Sequence, residues 1–149
     1  MPQTTSKYED GITNLLTSGL GGLVADSKKG EEAMNLNKMV AAIKSLPDFH
    51  KTGMIATHLG IVRSFSRDGH PVKGMDLSVK IDKVKQIMEE LRQRPGIIEV
   101  LIEANEGHLR VGDELVAIMV AGDTRDHVFP VLTEAISRFK AEAAVEKEK

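Results

Sequence analysis

Apolar residues recur along this chain with two different periods, and the switches between them divide it into elements. From Asn35 the spacing is helical: Leu36, Met39, Val40 and Ile43 fall at i, i+3, i+4 and i+7, and Pro47 supplies the stop. Residues 54–65 are rich in β-branched and apolar side chains and read as a strand. The run Ser66-Arg67-Asp68-Gly69-His70-Pro71 has the turn chemistry of a hairpin or longer loop, and 72–79 reads as the returning strand. Ile81, Val84, Ile87, Met88 and Leu91 share one face of a second helix, which Pro95-Gly96 ends. Two further strands are predicted at 97–102 and 115–121, punctuated by Glu106-Gly107 and Gly112-Asp113. Val128, Val131, Leu132, Ala135, Ile136 and Phe139 define a last amphipathic helix. Pro130 belongs in or near the first turn of a helix, which predicts a start around residues 127–129. The order helix, two strands, helix, two strands, helix implies an α+β fold with the sheet covered by helices on one face.

The two ends depart from this regularity. Within residues 1–33, Ile12-Thr13-Asn14-Leu15-Leu16 and Leu20-Gly21-Gly22-Leu23-Val24 are short apolar patches broken by glycines. Each glycine costs roughly 1 kcal/mol in a helix interior, so a flexible N-terminal arm is expected at 1–33, ahead of a single domain at 34–149. Residues 142–149 are small and charged and are expected to fray.

Composition narrows the function classes. A chain of 149 residues suits one domain with a real core. Its 20 basic residues against 22 acidic leave a net charge of −2, which argues against broad attraction to nucleic acid or anionic membrane. An aromatic content of 3% disfavours stacking platforms for single strands. With no cysteine there is no disulfide, thiolate metal site or protein-borne thiol nucleophile. No apolar run approaches the roughly 18–20 residues of a membrane span, and no secretory pattern opens the chain, so a cytoplasmic protein is expected. The five histidines never pair at i+2, i+3 or i+4, and no calcium-loop pattern is present, so neither a metal nor another cofactor is expected. Gly19-Leu20-Gly21-Gly22 lacks the strand–turn–helix context of a nucleotide loop, and no serine sits in a nucleophile elbow.

Basic residues of the second half are the candidates that remain. Arg63 closes the first long strand, and Arg125 precedes the last helix, where free backbone N–H groups favour an anion. Lys140 and Lys147 are seven residues apart; on a helix that continues so far they share a face, about 10 Å apart. Arginines hold phosphate through paired hydrogen bonds, and a nearby lysine can act as acid, base or nucleophile.

Four motifs then change the odds. Gly60-Ile61-Val62-Arg63 matches a G-x-V-R at the end of a first long strand. Gly107-His108-Leu109-Arg110-Val111-Gly112-Asp113 matches a G-x-L-x-x-G-[DE] turn. Thr124-Arg125 stands where a His-Arg pair precedes a last helix, and Lys140 and Lys147 keep the spacing of a C-terminal K-x-x-x-P-[IFL]-W-K. In this order they make the chain, from about residue 35 onward, resemble the large, catalytic subunit of molybdopterin synthase, the MoaE family. The resemblance implies an α/β hammerhead domain that forms a homodimer and binds two copies of a small ubiquitin-like sulfur carrier. The carrier's C-terminal Gly-Gly thiocarboxylate would deliver sulfur to cyclic pyranopterin monophosphate in a pocket of the large subunit. By the same resemblance, Arg63, Arg125 and Thr124 would bind substrate, and Lys140 and Lys147 would serve catalysis. Thr124 replaces the family's histidine, and Ala144-Val145-Glu146 replaces its Pro-aromatic-Trp segment. A non-catalytic dimeric module that binds a carrier tail or a small anion is therefore a second reading.

Overall fold

The computed structural model describes residues 24–25 and 34–149. The elements are β1 (Val24–Ala25), α1 (Leu36–Lys44), β2 (Met54–Ile61), β3 (Gly74–Val79), α2 (Ile81–Arg92), β4 (Ile97–Asn105), β5 (Gly107–Arg110), β6 (Glu114–Gly122), α3 (Arg125–Arg138) and β7 (Ala144–Glu148). A short 3-10 turn, Phe49–Lys51, follows α1, and a π turn, Phe139–Ala143, links α3 to β7. The expected arm at 1–33 lies outside the described residues except for β1.

Two sheets share the strands. One is mixed, in the order β1-β4-β6-β2, and the other is antiparallel, in the order β5-β3-β7. In the larger sheet β6 runs antiparallel to both β2 and β4, while β1 pairs parallel to the end of β4. Residues 115–122 of β6 are buried at every position, which accounts for the unbroken apolar run Leu115–Ala121. The helices follow their sequence periods. Met39 and Ile43 of α1, Val84, Ile87, Met88 and Leu91 of α2, and Val128, Val131 and Ala135 of α3 are the buried positions. Asn35 caps α1 by accepting a hydrogen bond from the Lys38 N–H at 2.9 Å.

Three expectations are corrected. Helix α3 begins at Arg125, so Pro130 is its sixth residue. Pro130 is tolerated there because it is exposed, and solvent can replace the N–H that the ring removes. The punctuated stretch after residue 105 contains β5, entered through Gly107 (φ 120°) and left through Gly112 (φ 93°). The C-terminal tail does not fray: β7 pairs with β3 from Ala144↔Val79 to Glu148↔Met75, and Lys149 continues the ladder by donating to Gly74 at 2.9 Å. A charged, polar edge strand is the reading that the tail's composition concealed.

Candidate functional site

Antiparallel pairing decides which residues meet. Met54 at the start of β2 pairs with Gly122 at the end of β6, and Ile61 at its end pairs with Glu114. Helix α3 leaves β6 at Gly122 and runs back over β2 and β6, so its C-terminus arrives at the Ile61 end. There an open cleft of about 1050 Å³ lies between the end of β2, the start of β6, the π turn and β7.

Each charged group reaches this cleft for a local reason. The pairing of β2 shifts register between Gly60 and Ile61, and Val62 is then clamped by two backbone bonds: its N–H donates to Asp113 (2.9 Å) and its carbonyl accepts from Gly112 (2.7 Å). Arg63, the next residue, is turned out to the cleft, with its guanidinium 5.0 Å from the centre of the Phe65 ring. The chain continues into a small hairpin. Val72 N–H donates to Ser64 and Ser66 N–H to His70, and Gly69 (φ 85°) closes the turn, which places Arg67 on the cleft wall.

Lys140 comes from the π turn. Phe139 and Ala143 are buried on either side of it, and Lys140 itself is exposed along the cleft. Arg138 anchors the helix end just before, pairing with Glu90 of α2 at 2.9 Å and with Glu142 at 2.9 Å. These carboxylates raise its pKa, Glu142 first. From β7 the alternate positions Ala144, Glu146 and Glu148 line the cleft. His58 of β2 completes the polar lining, two residues from Gly60 and therefore on the same side of its strand. Its pKa is lowered from 6.5, first by burial and second by the charge of Lys140.

The residues singled out from sequence separate accordingly. Arg63 and Lys140 meet in the cleft. Thr124 and Arg125 stand at the opposite end of α3, about 20 Å away for a 14-residue helix. Asp123 organises that end, accepting from the Thr124 N–H (2.6 Å) and from Nδ1 of His127 (2.7 Å); the histidine is the main reason its carboxyl titrates below the usual range. The shared helical face for Lys140 and Lys147 does not form, because the helix ends and Lys147 lies in β7. It pairs with Asp76, which puts it on the outer face of the small sheet with His108, away from Glu146 and Glu148. Sequence reasoning passed over His58 and Arg67. The period-2 alternation that sets His58 beside Gly60 is the signal the sequence carries for it.

This arrangement gathers three cations, one imidazole and two carboxylates around a water-accessible cleft beside a close-packed strand. It defines an α+β protein with an open cleft of mixed charge between its two sheets. The chain belongs to the MoaE protein family, whose model matches residues 30–142. An uncharacterized protein of Methanocaldococcus jannaschii is 33% identical over 94 residues, which span 60% of this chain and 79% of that protein. The molybdopterin biosynthesis MoaE protein from Burkholderia ambifaria MC40-6 has a similar structure, with TM-score 0.64, 27% identity and coverage of 78% of each chain. A chain in the complex of subunits 1 and 2 of molybdopterin-converting factor from Helicobacter pylori 26695 has a similar fold at 15% identity, with TM-score 0.59 and coverage of 78% of this chain and 79% of that one.

Proposed function

We propose that this cleft is the sulfur-transfer site of a molybdopterin synthase large subunit. Membership in the MoaE protein family supports a place in molybdenum cofactor biosynthesis. The observation that carries the site assignment is the convergence of Arg63 and Lys140, with Arg67 and His58, on one cleft. In this reading a small carrier subunit inserts a thiocarboxylate-bearing tail, and cyclic pyranopterin monophosphate lies against the cations. The complex formed by the Helicobacter pylori relative supports a small-subunit partner. Arg63 and Arg67 hold the anionic groups through charge-assisted hydrogen bonds, and Lys140 sits nearest the reacting atoms. Arg125 and Thr124 join the site only where a second copy of the chain brings them to it, so the homodimer is part of the proposal, as is a cytoplasmic setting. Lys147, on the outer face of the small sheet, is left to partner contact rather than chemistry.

The test is reconstitution: the purified protein, a thiocarboxylated carrier and the cyclic precursor are mixed and dithiolene product is assayed. Product that disappears on Lys140→Ala is expected; no product with any cognate carrier sinks the proposal. One observation favours a second reading. Glu146 and Glu148 put negative charge into the cleft, which weakens its hold on an anion. Binding of a Gly-Gly-terminated carrier tail without turnover would identify a non-catalytic module instead.

A further inference from the structure

His58 differs from the other histidines whose rings have carboxylate neighbours. His108 is bonded to Asp76, and His127 to Asp123 at 2.7 Å. His58 alone lines the cleft, and no hydrogen bond holds its ring among the described residues. Its position is built by two features of the sequence. Residue 60 is a glycine, so it puts no side chain of its own beside the ring; a Cβ there would stand 3.4 Å from the imidazole Nε2 and 3.2 Å from Val116 Cγ1. The partner strand offers only apolar groups beside it, Ile118 opposite His58 and Val116 opposite Gly60. The charged groups that line the cleft with it are Lys140 from the π turn, Arg63 and Arg67 from the hairpin, and Glu146 and Glu148 from β7; α3 contributes Ser137.

We propose that His58 is the proton acceptor of the cleft in the sulfur-transfer reaction, working beside Lys140. The proposal rests on the synthase reading above. Moving sulfur from a thiocarboxylate to carbon first forms a thioester between carrier and pterin, as the carbon–oxygen bond at that pterin carbon breaks and its oxygen leaves on phosphate or as water. Water must then add to the acyl carbon and the carbon–sulfur bond of the carrier must break. The products are the carrier carboxylate, the pterin-bound sulfur as thiolate, and the protons of the water. A neutral imidazole in the cleft has one unprotonated ring nitrogen to accept such a proton as the water attacks. Partial burial, and after it the neighbouring Lys140, favour that neutral form near pH 7, since both lower the pKa of His58.

Two measurements on the full chain decide the matter. The first is an NMR titration of the His58 ring in histidine-labelled protein, assigned by its loss in His58→Gln. The expected midpoint lies below 6.5 and moves up toward 6.5 in Lys140→Met; a midpoint at or above 6.5, or one indifferent to Lys140, overturns the pairing. The second is turnover against pH with carrier and precursor. Wild type should lose rate as pH falls through the His58 midpoint. His58→Gln and His58→Phe should each lower kcat about 100-fold or more and abolish that acid limb, with the KM for carrier nearly unchanged. Turnover within about threefold of wild type in His58→Gln, or an unaltered acid limb, overturns the role of His58 while leaving the synthase reading intact. Absence of product from wild type overturns the synthase reading and the proton role with it, and the titration still reports whether His58 and Lys140 are coupled.

Discussion

At the scale of single residues, the cleft depends on what is missing as much as on what is present. Gly60 leaves room for the His58 ring on the cleft that Lys140 also lines. Gly60→Ala would add a Cβ at 3.2–3.4 Å from Val116 and His58, tight enough to push the imidazole aside but not to disrupt β2. Reduced turnover with a melting temperature within a few degrees of wild type is the expected outcome, measured by reconstitution assay and calorimetry. A drop in stability large enough to explain the lost activity would refute it. Lys140→Met should lower turnover by roughly two to four orders of magnitude, the range for removing a proton-transferring or nucleophilic group. His58 also gives folding a pH dependence whose sign is fixed. Its folded pKa is depressed below the unfolded 6.5, so the unfolded chain binds more protons between the two values; stability holds above 6.5 and declines as pH falls through that window. Arg63 and Lys140 were legible because a strand end and a family spacing marked them. His58 was not, since nothing in a lone histidine says which strand will lie beside it.

Elements differ in how strongly burial marks them in the sequence. Helical periods and strand runs in the interior were readable because burial alone sets them, as the buried faces of α2 and α3 show. The tail was not readable, because β7 has almost no burial signal: its positions after Ala144 are exposed, and what orders it is pairing with β3. Its backbone is tied at both ends, by the Lys80 N–H to Ala143 at 2.8 Å and by Lys149 to Gly74. Lys149 Nζ adds an ion pair with Asp76 at 3.0 Å, on an exposed face where salt screens it. The π turn between α3 and β7 has a similar origin. Phe139 and Ala143 fill the core while Arg138 pins the helix end to Glu90, and that combination aims Lys140 at the cleft. Deleting residues 144–149 should therefore do more than trim a loose end. It exposes the β3 edge and removes one cleft wall, so a lower melting temperature and lost turnover are expected together. A deletion variant with wild-type melting and full activity would show that the strand does not contribute.

At the scale of the molecule, the most buried carboxylate among the described residues lies at the other end of the large sheet from the cleft and ties a helix to that sheet. Glu99 is 1% exposed, at the place where β4 shifts register against β6. Its carboxylate accepts from Arg92 at the end of α2 and from the Val100 N–H at 2.7 Å, and the same arginine donates to the Val100 carbonyl at 3.2 Å. Sequence patterning places Arg92 and Glu99 only as polar positions; their pairing appears once α2 has packed against β4. The two partners are not equivalent. The Arg92 side chain is 20% exposed, so without Glu99 it can still reach water, whereas Glu99 without Arg92 is a buried carboxylate with one backbone donor. Arg92→Ala should accordingly be the more damaging change, destabilising by about 3–5 kcal/mol, the range for breaking a buried pair from one side. For a chain of this size that lowers the melting temperature by roughly 10–15 °C. Glu99→Gln keeps the shape and loses the charge, so a smaller loss is expected. Replacing both residues with apolar side chains, Arg92→Met with Glu99→Leu, should be less harmful than Arg92→Ala alone, because no charge remains to be desolvated. Thermal melts of wild type and the three variants test the order; a double variant no more stable than Arg92→Ala would show that Arg92 acts by packing its stem against α2 and β4 rather than by neutralising Glu99.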